Sequence, residues 1–159
     1  MFAHIAALFT LAAECAYQGK GVMPDFDEMN AKVIDEFRAN GGEVGGGFAG
    51  EILILVHHFG ARSGIERVAP LACYVEGERL FVFASKAGLP ENPGWYHNLM
   101  ARPEVTAELG EERFSVRATE VKGPERDEIY AKNAEQRPQF AEYQANVTRL
   151  IPVVELERL

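Results

Sequence analysis

A chain of 159 residues, 47% of them apolar, can bury one sizeable core and is short for two. Its 24 acidic side chains against 16 basic ones give a net charge of −8, which argues against nucleic acid as the main partner. A small anionic ligand stays admissible if the few cations gather at one place.

The chain begins with an apolar, Ala-rich stretch, Met1 to Tyr17, broken by His4 and Glu14, without a basic start or an uncharged run long enough to span a bilayer. Residues 1–22 therefore read as an N-terminal extension: a helix packed on the domain, a membrane-surface segment, or translation from upstream of a functional start at Met23. Residues 23–159 read as one domain. From Asp25 the spacing predicts a helix, capped by Asp25 or Asp27, with Met29, Val33, Ile34 and Phe37 on one face and Asn40-Gly41-Gly42 as its stop. Gly41 to Gly50 reads as a flexible connector. It is not a Walker loop, because no Lys-Ser/Thr follows and no helix opens after it.

Ile52 to Val56, Arg67 to Val75 and Arg79 to Ser85 are strand-like runs parted by turn residues, which predicts an antiparallel meander. Asn92 as N-cap and Pro93 at the first helical position open a helix, Gly94 to Ala101, that Arg102-Pro103 ends. Strands Glu104 to Leu109 and Arg113 to Val121 share the turn Gly110-Glu111-Glu112. A helix follows over Pro124 to Glu135, with Ile129 and Tyr130 inward. Phe140 and Tyr143 sit on a helical turn beyond Pro138, and Leu150 to Leu156 closes the chain, Pro152 marking an edge or a bulge. About six strands with interspersed helices and no repeated βαβ unit predict an α+β, mainly β domain: an antiparallel barrel with helices packed outside.

The turns hold the chemistry. Gly60-Ala61-Arg62-Ser63-Gly64, then Arg67, then Ser85-Lys86-Ala87-Gly88, put cations and a hydroxyl on glycine-bounded loops. Glycine lets backbone N–H groups approach an anion, and Arg and Lys add charge, so these loops suit a phosphate or carboxylate cradle; they are also ordinary hairpin chemistry. Cys15 and Cys73 form neither a metal spacing nor a disulfide framework, and Cys73 reads as a buried, inert thiol. His57 and His58, adjacent in a strand, point to opposite faces and do not share a metal; no metal site is assigned.

Five segments in order, Gly60-x-Arg62-Ser63-Gly64, Arg67-Val68-x-Pro70-Leu71, Ala84-Ser85-Lys86-x-Gly88, Asn92-Pro93-x-Trp95-Tyr96-x-Asn98-Leu99 and Arg149-x-Ile151-Pro152-Val153, resemble the deazaflavin-dependent nitroreductase family, also called F420-dependent quinone reductases. The resemblance runs from about Met23 to the C-terminus. It implies a split β-barrel related to the FMN-binding oxidoreductases, with reduced coenzyme F420 as a two-electron hydride donor. That coenzyme is flat at one end and anionic at the other. Arg62, Ser63, Arg67 and Lys86 then suit its phosphate and carboxylates, and the backbone about Val68, Pro70, Leu71, Ala72, Ala84 and Ser85 suits the ring edge. Asn92, Trp95 and Asn98 lie where the family closes its pocket, and Trp95 and Tyr96 also read as packing residues. Ser85 is similar to a hydroxyl near the reacting substrate, and Tyr143 matches a tyrosine of the substrate side. Where the family places further tyrosines, this chain has Ala72, Arg137 and Phe140. A phenol can hydrogen-bond a nitro or quinone oxygen; Ala and Phe cannot.

The expectation is an F420-dependent oxidoreductase passing hydride to a quinone-like, nitro or other conjugated small-molecule acceptor. Two alternatives stand beside it: a non-catalytic cofactor carrier, and a barrel that binds FMN or another flat ligand. A cytoplasmic enzyme, as a homodimer and in peripheral contact with the inner face of the membrane, fits the first.

Overall fold

The computed structural model describes residues 26–159, so the extension at 1–22 lies outside the described residues. Helix α1 (Phe26–Ala39) turns Val33, Ile34 and the fully buried Phe37 onto the first strand. Met29, expected on that face, is exposed, and Asp27 lies in the first turn, while Asp25, the other cap candidate, lies outside the described residues. The glycine-rich connector is not loose. Glu36 Oε1 accepts from Gly45 N at 2.7 Å. Gly42, at φ +98°, packs so closely on the following β-turn that a Cβ there would meet Gly110 Cα at 2.7 Å.

Seven strands follow: β1 (Leu53–Phe59), β2 (Glu66–Ala72), β3 (Tyr74–Glu76), β4 (Arg79–Phe83), β5 (Glu104–Leu109), β6 (Glu112–Val121) and β7 (Val153–Arg158). They form one antiparallel sheet in the order β2-β1-β5-β6-β7-β4-β3. The count exceeds six because the run Arg67 to Val75 breaks at Cys73. That single residue carries the chain from one edge of the sheet to the other, and its N–H bonds Ile52 O at 2.8 Å. Strands at opposite edges that are joined by one residue require the sheet to curl on itself, and a barrel results. Cys73 is fully buried, and burial raises its thiol pKa to about 11, which makes it the inert thiol expected.

The predicted meander is replaced by two hairpins. β1 pairs with β2, from Leu53↔Ala72 to Phe59↔Glu66, while β4 pairs with β3 and, on its other side, with β7. Pro152 marks neither an edge nor a bulge. It precedes β7, an interior strand, and its carbonyl accepts from Ala84 N at 3.0 Å.

Alternation along the strands sorts side chains to two faces. Ile54, Val56, Val82, Val105, Val116 and Val154 fill the barrel, and helix α2 (Gly94–Ala101) plugs it with Trp95 and Leu99, one turn apart. Outside, α1 covers Leu53 and Leu55 of β1. Helices α3 (Gly123–Gln136) and α4 (Gln139–Ala145) cover Phe81, Phe83 and Val153 with Ile129, Tyr130, Phe140 and Tyr143. Each such fully buried aliphatic or aromatic contributes roughly 1.5–3 kcal/mol.

Candidate active site

The turn between β4 and α2 is backbone under strain. Lys86, Ala87 and Gly88 are all left-handed, at φ 47°, 54° and 78°. For residues with a Cβ this costs about 1–2 kcal/mol apiece. Arg149 holds the turn in place. Its Nη1 donates to Ala84 O (3.1 Å) and Asn92 Oδ1 (2.5 Å), its Nη2 to Ser85 O (2.9 Å), and Nε and Nη2 to Leu89 O (3.2 and 3.0 Å). One guanidinium thereby clamps both ends. A Cβ on Gly88, at φ +78°, would lie 3.2 Å from Tyr143 Cα and Cδ1, so a side chain there would be strained and would press on Tyr143. Strain maintained this way is characteristic of ligand-binding loops.

Two pockets meet at this turn. One, about 180 Å³ and largely apolar, lies between Pro70-Leu71-Ala72 of β2 with the Ser85–Ala87 turn on one side, and Arg137, Gln139, Phe140 and Tyr143 on the helical side. The other, about 520 Å³, runs towards α1 past His58, Arg67 and Val68. Lys86, Ala87 and Trp95 line both.

Of the residues singled out from sequence, Pro70, Leu71, Ser85, Lys86, Trp95 and Tyr143 line the small pocket, and Arg67, Val68, Lys86 and Trp95 the larger one. Arg62 and Ser63 line neither; they sit in the exposed β1–β2 turn, where Ser63 Oγ accepts from Ile65 N at 3.2 Å. Ala84 is fully buried in the barrel and lends only its carbonyl, to Arg149. Asn92 is not the helix cap, a position taken by Pro93; its amide oxygen engages Arg149. Asn98 Oδ1 accepts from Ala61 N at 2.9 Å, and its Nδ2 donates to His58 Nδ1 at 2.9 Å. Both asparagines thus brace the walls.

The two histidines do point apart. His58 faces the larger pocket, and burial, then Arg67 and His57, push its pKa down to about 4, so it is neutral at pH 7. His57 lies between Glu66 and Glu108, 2.7 Å from each. Arg38 grips Glu108 through Nε and Nη2 at 3.1 and 2.8 Å and, with His57, holds that carboxyl down to about 2. In the small pocket burial pushes the Tyr143 phenol up to about 12, so it is a hydrogen-bond donor at neutral pH.

His58, Glu51, Gln139 and the clamping role of Arg149 escaped sequence reasoning, and Arg137 stood only as a missing tyrosine. The one available signal was the pair of arginines near prolines, Arg137-Pro138 and Arg149-x-x-Pro152, beside otherwise apolar runs. The small pocket is largely apolar, while the larger one carries Lys86 and Arg67 along its length.

Comparison with known proteins fits this geometry. The family model described as F420H(2)-dependent quinone reductase matches residues 30–158. An F420H(2)-dependent quinone reductase of Mycobacterium tuberculosis (strain ATCC 25618 / H37Rv) is 37% identical over 110 residues, spanning 66% of this chain and 72% of that protein. Among solved structures, an F420-H2 dependent reductase (FDR-A) is 37% identical with a TM-score of 0.61, over 66% of this chain and 93% of that one. A structure described as a domain-swapped dimer is 32% identical with a TM-score of 0.64, over 84% and 98%.

Proposed function

This chain belongs to the F420H(2)-dependent quinone reductase family, and from that premise we propose that it passes a hydride to a quinone held in the small pocket beside Tyr143. It is an oxidoreductase, and coenzyme F420 is its cofactor, as the family's dependence requires. The FMN alternative has no such support, and the carrier alternative yields to the enzyme.

When bound, the deazaflavin supplies the hydride. The chain's own residues bind, orient and shield. Pro70-Leu71-Ala72 and Trp95 bound a slot for a flat ring, while Lys86 and Arg67 face the anionic remainder along the larger pocket. Lys86 meets Glu91 at 3.3 Å in an exposed pair, a contact that a phosphate displaces at little cost. Ser85 and the protonated Tyr143 offer hydroxyl donors to the acceptor oxygen. Ala72 and Phe140 offer none, so hydroxyl donation to the acceptor falls to Ser85 and Tyr143. The observation that carries the reading is the strained, Arg149-clamped turn that sets Lys86 at the junction of both pockets.

A homodimer belongs to this proposal, supported by the relative described as a domain-swapped dimer. So does a cytoplasmic setting with contact at the inner face of the membrane, where quinones reside. Among the described residues no helix is long and apolar enough to cross a membrane.

Fluorescence titration with oxidised coenzyme F420, with FMN in parallel, tests the assignment. Tight, salt-sensitive binding of the deazaflavin alone is expected. Preference for FMN, or binding of neither, overturns it.

A further inference from the structure

The helical wall of the small pocket carries an ion pair that the hydride transfer described above does not use. Arg137, between α3 and α4, and Glu51, just before β1, are 7% and 14% exposed, and Arg137 Nε donates to Glu51 Oε2. Nη1 donates to Asn133 Oδ1 at 2.7 Å and Nη2 to Cys73 O at 3.2 Å. A guanidinium has five N–H groups, so one remains on each Nη of a residue that lines the pocket.

The support behind it is built at a cost. Asn133 is fully buried, and its Nδ2 has no partner among the described residues. Flipping the amide would not relieve this, because Nη1 needs an oxygen to donate to. An orphaned donor and a desolvated ion pair in an apolar wall are poor investments in stability alone. They suit a group placed in advance where negative charge will appear.

We propose that Arg137 is a catalytic residue on the acceptor side: its Nη groups bind an oxygen of the acceptor and receive the charge that develops there, with Glu51 and Asn133 as positioning residues. This rests on the hydride-transfer reading of the pocket. The hydrogen–carbon bond of the donor breaks, a bond from that hydrogen to the quinone forms, and an electron pair moves onto the quinone oxygen beside Arg137. The donor loses two electrons and the quinone gains two. The proton released by the donor balances the one the quinolate takes up to become the quinol. The pocket therefore selects acceptors that place charge on a carbonyl oxygen.

Arg137→Met alone strands the Glu51 carboxylate, so the informative protein is the double variant Glu51→Gln/Arg137→Met, which removes both charges. Its affinity for oxidised F420 should stay within about threefold of wild type, while kcat with 1,4-naphthoquinone falls by about 100-fold. A binding readout separates this from a structural role. The anion of 2-hydroxy-1,4-naphthoquinone, titrated into the F420-loaded protein, should lose about tenfold or more in affinity, and neutral 1,4-naphthoquinone far less. Arg137→Lys should recover part of the anion affinity, since it keeps the charge but not the fork. Unchanged anion affinity and kcat in the double variant overturn the assignment, as does loss of F420 binding, which would make Arg137 structural. Wild type that fails to bind F420 overturns the underlying reading and this residue's role with it.

Discussion

Two kinds of cation surround the cleft, and they do different work. Lys86 and Arg67 stand exposed at its rim on the strand side, whereas Arg137 is a buried part of the helical wall and Arg149 is half-buried beneath the turn. The rim cations can be spent on a ligand because little of the fold depends on them. Arg149, by contrast, satisfies four acceptors, three backbone carbonyls and one side-chain amide, and so decides the shape that the rim presents. The number of protein acceptors a cation holds thus separates shaping the site from serving it.

Arg149→Ala should produce the largest effect. Leaving those partly buried carbonyls without a donor and releasing the strained turn should cost about 3 kcal/mol or more, lowering the melting temperature by about 6–12 °C. F420 affinity should fall with it, as Lys86 loses its placement. Calorimetry of the variant checks this, and an unchanged melting temperature would mean that the turn holds itself.

The histidines sharpen the comparison through pH. His58 has its pKa lowered from 6.5 to about 4, so between these values the unfolded chain binds a proton that the folded chain refuses. Stability therefore falls as the pH drops from 6.5 towards 4, by up to about 1.4 kcal/mol per pH unit, and this contribution levels off below. Glu108, lowered to about 2, acts in a separate window: its stabilisation is complete above its usual 4.5 and is lost only beneath that. Urea unfolding at pH 7, 6, 5 and 4 should show the His58 slope, and His58→Gln should flatten it.

Lys86→Ala should be the mildest. Its exposed pair with Glu91 implies a stability change within about 0.5 kcal/mol, yet F420 affinity should drop by about tenfold through loss of a charge-assisted contact. Parallel melting and fluorescence titrations read the two separately. Unchanged affinity would place the anionic end of the cofactor elsewhere.

Much of the site was legible before the fold was. Ser85, Lys86, Pro70, Leu71, Trp95 and Tyr143 converge on one pocket although they span three segments far apart in sequence. Arg62 and Ser63 did not join them, because a glycine-bounded turn carrying a cation looks the same in sequence whether it faces a cleft or solvent. Asn92 and Asn98 were found, but for different work: their partners, Arg149 and the Ala61 N–H with His58, lie tens of residues away.

What the sequence alone determined is what short-range physics governs. Period-2 and period-3.6 patterning set the strands and helices within a few residues, and glycines and prolines placed the turns; the deazaflavin enzyme was implied separately, by the resemblance of five ordered motifs to a known family. Tertiary structure decided which strands are neighbours, that Cys73 joins two opposite edges and so curls the sheet, and that Arg149 reaches back 60 and 65 residues to hold Leu89 and Ala84. It also set two adjacent histidines in different surroundings, His57 between two carboxylates and His58 against the larger pocket. Strand pairing, burial and charge environment arise from segments brought together in space, and no local pattern encodes which distant segment will arrive.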